Sequence, residues 1–119
     1  MEDYRDLVVW QRSMELVKQV YIATRLLPKE ELFVLTSQLR RAVNSIPSNI
    51  AEGYGRHSRN DYLRFLNIAR GSKNEVETQL QICLMLDYLK LEDIAEAQAV
   101  CTEVGKMLNS LINTVESQK

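Results

Sequence analysis

Apolar residues recur along this chain at alternating steps of three and four, the spacing of helices that each bury one side. In the first segment Leu7, Trp10, Met14, Val17, Tyr21 and Thr24 form one stripe, and Val9, Ser13, Leu16, Val20, Ala23 and Leu27 form an adjoining one. Gln11, Arg12, Glu15, Lys18, Gln19 and Arg25 fill the remaining arc. Two adjoining stripes make a wider apolar face than a helix of a small monomeric bundle needs. The expectation is that this helix contacts another copy through Val9, Leu16, Val20 and Ala23.

A second helix is predicted to begin at Pro28, whose missing N–H costs nothing in a first turn, with Glu30 and Glu31 complementing the positive helix end. It runs on Leu32, Leu35, Leu39, Ala42, Ile46 and Ile50. Pro47 removes a backbone donor and crowds the Val43 carbonyl, so a kink is expected there, the apolar spacing surviving to Ile50. If the helix stops at Ile46 instead, a short separate helix covers residues 48–54. Gly53 and Gly55 supply the turn. Ser58 with Asp61 reads as the N-cap of a third helix, whose seam is Tyr62, Phe65, Ala69, Ser72, Val76, Gln79, Cys83 and Leu86. Gly71 and Ser72 are small enough for a neighbouring helix to approach closely. After LKLED a fourth helix repeats as Ile94, Ala97, Cys101, Val104, Leu108, Leu111 and Val115.

The fold class is therefore all-α, an antiparallel up-down-up-down four-helix bundle, with helices over about 6–27, 29–53, 58–89 and 92–116. With 119 residues, 45% of them hydrophobic, the chain is one domain able to bury a core without staples. The first residues lack a signal-peptide pattern and no 18-residue apolar run spans a bilayer, so a cytoplasmic, non-membrane protein is expected. Cys83 and Cys101 sit at apolar positions of the helical repeats and read as free buried thiols.

Charge adds what periodicity hides. Residues 40–73 hold seven basic and two acidic side chains, +5, whereas residues 74–119 carry −5 and residues 1–39 carry −1, for a total of −1. A near-neutral chain is thus dipolar along its length.

The motifs LTSQLRRAVNSIPSNIAEGYGR and YLRFLNIARGSKNEVETQL, preceded by YRDLVVWQRSMELV and LPKEELFVLTSQL, carry a resemblance. Over roughly residues 4–89 the chain resembles the bacterial four-helix-bundle family encoded in intervening sequences of the large-subunit ribosomal RNA gene. The resemblance implies a ring-like homo-oligomer, typically a homopentamer, without established enzymatic activity. A divergent branch, the accessory proteins of diversity-generating retroelements, forms basic pentameric barrels that bind nucleic acid and reverse transcriptase. This chain departs from that branch in its net charge of −1 and sequence pI near 5.9.

The residues support no catalytic assignment. His57, the only histidine, lies in a turn between arginines, and no partner histidine, phosphate loop or activated nucleophile accompanies it. Glu52, Glu75 and Glu77 could pair or hold a metal, but the Glu-x-x-His repeats of di-iron bundles are absent. No catalytic, metal or cofactor site is assigned. Arg41, Ser45, Asn49 and Glu52 on one helix and Arg70, Ser72 and Glu75 on the next are spaced to form an interhelical polar network. Arg40, Arg41, Arg56, His57, Arg59 and Arg64, interleaved with Tyr54, Tyr62 and Phe65, are the candidate surface for RNA, DNA or a protein partner. The reading is a non-enzymatic oligomeric interaction or scaffold protein, with a nucleic-acid or ribonucleoprotein-binding accessory role as the alternative.

Overall fold

The computed structural model describes residues 3–118, and among them all regular structure is helical. Four long helices, α1 (Val8–Thr24), α2 (Ser37–Tyr54), α3 (Arg59–Met85) and α4 (Leu91–Glu116), make up the fold. Their contacts close a cycle: α1 packs on α2 and α4, and α3 packs on α2 and α4. At about 1.5 Å per residue, α3 and α4 each run about 40 Å, which accounts for the long dimension of a body measuring 48 × 24 × 22 Å.

Each helix contributes fully buried aliphatic side chains to one core. Leu16 and Val20 come from α1, Leu39, Val43, Ile46 and Ile50 from α2, Leu66, Val76 and Leu80 from α3, and Ile94, Val100, Val104 and Leu108 from α4. Complete burial of one such side chain is worth about 1.5–3 kcal/mol, so this interior is the main source of stability. It also corrects the reading of α1. Val9, Leu16, Val20 and Ala23 are at most 5% exposed within the single chain. They are core residues and cannot be the contact to another copy. The face is broad because α1 lies against two neighbours, α2 and α4, and must bury an arc that serves both.

The approach to α2 departs from the predicted single helix. Pro28, in extended conformation, precedes a 3₁₀ turn at Lys29–Glu31 and a π-helical turn at Leu32–Thr36, and regular α-helix starts only at Ser37. Glu31 fixes this approach, one carboxylate oxygen accepting from the Leu35 N–H at 3.4 Å and the other from the Tyr88 hydroxyl at 2.9 Å. From Ser37 the helix runs unbroken through the buried Pro47 to Tyr54, so no separate helix forms over residues 48–54.

The glycines divide by position. Gly53 lies inside α2, and a β-carbon there would stand 2.8 Å from Phe65 Cβ, 3.0 Å from Tyr62 Cδ1 and 3.3 Å from the Tyr62 carbonyl oxygen. Its missing side chain lets α2 pack directly against α3 at that point. Gly71 was expected to play that part and does not, since nothing lies within 4 Å of the corresponding point. Ser72 alone of that pair meets α2. Ser58 caps α3 through its hydroxyl, which accepts from the Asp61 N–H at 3.1 Å, and Asp87, two residues past the end of α3, takes the left-handed region at φ 61°.

Candidate binding surfaces

The predicted interhelical network forms, in reduced membership. Ser45 and Ser72 join α2 to α3 through their hydroxyls at 2.8 Å, and Asn49 donates to the Ser45 hydroxyl at 2.9 Å and the Ser45 carbonyl at 2.7 Å. The other expected members turn elsewhere. Glu52 pairs with Arg56 one turn on, at 2.5 Å. Arg70 reaches Asn109 on α4 at 3.1 Å and Asn67 at 2.6 Å. Glu75 accepts from Gln79 at 3.1 Å, and Gln79 also donates weakly to Gln38 across the α2–α3 seam. Arg41 is exposed and makes no side-chain hydrogen bond or ion pair.

The six candidate cationic residues do not form one surface. Arg40 lies near the start of α2 and Arg56 just past its end, so most of the helix, about 20 Å, separates them. Arg40 belongs with α1, where its guanidinium lies 4.6 Å from the centre of the Tyr21 ring and its Nε donates to the Thr24 hydroxyl at 3.0 Å. Arg56, His57, Arg59 and Arg64 gather at the α2–α3 turn, where His57 is exposed. Their charge there is largely answered from within the chain: Arg56 pairs with Glu52, and Arg64 lies 3.7 Å from Asp61. Both guanidiniums also pack on Phe65, 4.9 and 4.4 Å from its centre. Arg59 donates to the carbonyl of Gln118 beyond α4. Tyr62 meets Tyr54 edge-on with ring centres 6.2 Å apart, and burial, followed by the neighbouring Tyr54, raises its hydroxyl pKa above the usual 10.0.

In the waist of the bundle the long stem of Lys73 lies against Gly105 of α4, and its ammonium pairs with Glu77 at 2.8 Å. Cys101 is sealed beside them. Burial first, then the charge of Glu77, pushes its thiol up to about 12, with Lys73 pulling the other way. Burial and then Glu31 also raise Cys83. Both thiols are free, and neither has the lowered pKa of a nucleophile. Among the described residues no group of three or more His, Cys, Asp or Glu is placed to hold a metal ion, and no helix is long and apolar enough to cross a membrane.

The end of the molecule opposite the α2–α3 turn carries a surface the periodicity concealed. Leu32, Phe33 and Val34, in the π-helical turn, are 49%, 89% and 51% exposed. Leu26 at the end of α1 and Met85, Leu86 and Leu91 around the α3–α4 connection are exposed too, and the Tyr88–Glu31 hydrogen bond holds that connection to the same end. Leu32 had been expected on the buried stripe of a regular helix. The wider π-helical turn takes it off that stripe, and the only sequence signal was the unbroken apolar run LFVL, too continuous for one helix side.

Fold and surfaces together define a small all-helical protein of four helices, with its exposed chemistry at the two ends. The chain belongs to the family of 23S rRNA-intervening sequence proteins, whose profile matches residues 5–110. The crystal structure of a Bacteroides thetaiotaomicron protein of unknown function from the S23 ribosomal protein family is similar to it. The two are 32% identical with a TM-score of 0.81, over 89% of this chain and 96% of that one. No curated protein matches the chain.

Proposed function

We propose that this chain is a non-enzymatic interaction or scaffold protein that acts as a ring-like homo-oligomer, a pentamer being favoured by the family resemblance. In this reading the helices alternate up, down, up and down and α2 bends at Pro47. The observation that carries the proposal is the exposed apolar end, Leu32, Phe33 and Val34 with Met85 and Leu91. Large apolar side chains exposed together at one end of a small domain mark a contact site. Equilibrium sedimentation of the full chain at micromolar concentration tests it: an oligomeric mass is expected, and a clean monomer overturns the reading.

A nucleic-acid-binding role is the second reading, and His57, Arg59 and Arg41, which have no carboxylate partner, favour it. Arg56 and Arg64 weigh against it, because each already has a carboxylate of its own. Titration of single-stranded RNA and duplex DNA against salt separates the two, since binding through phosphates weakens steeply as salt rises.

A further inference from the structure

Between the end of α1 and the approach to α2 lies a semi-enclosed pocket of about 170 Å³ with a basic and hydroxylic lining: Thr24, Arg25, Lys29, Thr36 and Arg40. Leu27, Pro28 and Leu32 complete its walls. Three basic residues, from the end of α1, the 3₁₀ turn and α2, therefore line one cavity. None of the three has a carboxylate within ion-pair distance. Of the two carboxylates that follow Lys29, Glu30 makes no ion pair and Glu31 is turned to the Leu35 N–H and the Tyr88 hydroxyl.

Arg40 is preorganised. Stacking on Tyr21 and the Nε bond to Thr24 fix the guanidinium plane, and its two terminal nitrogens have no partner. Arg25 and Lys29 alone could be explained as cations complementing the negative end of α1. That explanation leaves Arg40, which comes from α2. It also leaves Thr36, which lines the pocket and is 5% exposed, yet its hydroxyl makes no hydrogen bond. Among the described residues the one buried side-chain atom without a partner is Gln79 Oε1, so the Thr36 hydroxyl is reached by solvent and is free to donate to an oxygen that enters the pocket.

We propose that this pocket binds a small phosphate-bearing anion. A phosphoryl group presents three or four oxygens to the three cations and the Thr36 hydroxyl, whereas a carboxylate has only two. Its charge of about −1.5 to −2 at neutral pH offsets more than half of the three positive charges, and the planar guanidinium can engage two of its oxygens at once. With a water claiming about 30 Å³, the volume admits a phosphate and a few waters.

The test is a titration of the folded full-length chain with inorganic phosphate, and separately with glycerol 3-phosphate, at constant ionic strength, followed by the NMR signal of the Arg40 side-chain N–H. A saturable shift is expected from at least one of them; a response to the ester alone identifies a terminal phosphate as the ligand, and a response to both identifies the free ion as sufficient. Lys29→Gln, an exposed change that leaves the fold intact, should weaken binding about tenfold, the size of one lost charge-assisted contact. Thr36→Val should weaken it too while leaving thermal stability equal or higher, an outcome a purely structural hydroxyl would not give. Arg59→Gln at the far end should change nothing. A shift that does not saturate, an equal loss in Arg59→Gln, or a response only to a 5′-phosphorylated oligonucleotide overturns the assignment.

Discussion

The two ends of this bundle hold similar side chains and use them differently. At the α2–α3 turn, guanidiniums meet carboxylates and an aromatic ring of the same chain, and Gly53 lets the helix backbones close on each other. At the other end, three basic residues line a pocket that has no carboxylate in its lining, and Leu32, Phe33 and Val34 are exposed. The densest run of positive charge in the sequence is therefore the end whose interactions are largely internal. Charge content locates basic residues; only pairing shows which of them remain available to a partner.

The largest effect expected from disturbing this contrast is at Gly53. Any side chain there must displace the Phe65 β-carbon and the backbone of Tyr62, neither of which is a flexible tip. Gly53→Val should lower the unfolding free energy by about 3 kcal/mol, the upper part of the range for overpacking a fixed interface. Urea unfolding measures it. A Gly53→Val protein as stable as the native one would mean that the closed end is not closed by helix contact.

Much of the fold was legible in the sequence because long periodic helices declare themselves locally. The stripes containing Leu39, Ile46, Val76 and Val104 and the cap at Ser58 required no tertiary information. What could not be read was how each helix is used. The stripe of Val9, Leu16, Val20 and Ala23 looks the same whether a neighbour in the same chain or another copy covers it. The π-helical turn at Leu32–Thr36 depends on Glu31 meeting Tyr88, fifty-seven residues away. The same holds for the candidate sites: the Ser45–Ser72 contact was visible as spacing, but the convergence of Arg25, Lys29 and Arg40 requires the chain to turn at Pro28.

Between the two ends the waist is sealed, and alkaline titration sharpens that. The Cys101 thiol ionises near 9.0 when unfolded and near 12 when folded, so the fold favours the neutral form. Its contribution is complete below about pH 9 and falls by about 1.4 kcal/mol per pH unit as pH rises toward 12. Cys83, Tyr62 and Tyr88 are also raised and act in the same direction, Tyr88 chiefly through its hydrogen bond to Glu31. Urea unfolding between pH 8 and 10.5 should show the decline, with a shallower slope in Cys101→Ala despite its lower starting stability. A slope unchanged by that substitution would place the loss elsewhere.

A smaller effect, of opposite sign, is expected at Gly71. It lies on the outer surface of α3 with open space where a β-carbon would be. Gly71→Ala should raise stability by about 0.5–1 kcal/mol through helix propensity and a less flexible unfolded chain. The pair Gly53 and Gly71 then tests whether contact with α2, rather than helix propensity, sets the value of a glycine here. If Gly71→Ala is destabilising, another copy must pack on that side of α3, and sedimentation of the variant would show it as reduced association.

The smallest effect on stability is expected where the effect on association is greatest. Phe33 is 89% exposed, so its ring contributes little to the interior of the single chain, and Phe33→Asp should change the unfolding free energy of the monomer by no more than about 0.5 kcal/mol. Placed in an apolar contact between copies, the same carboxylate would lose its hydration without gaining a partner, which is strongly unfavourable. Sedimentation at micromolar concentration should therefore show a marked shift to lower mass, while circular dichroism remains that of the native helices. Arg59→Asp at the closed end, an equally large change of charge, should leave the mass unchanged. If both variants associate like the native chain, the apolar end is not a contact between copies, and the two ends differ only in how their charges are paired.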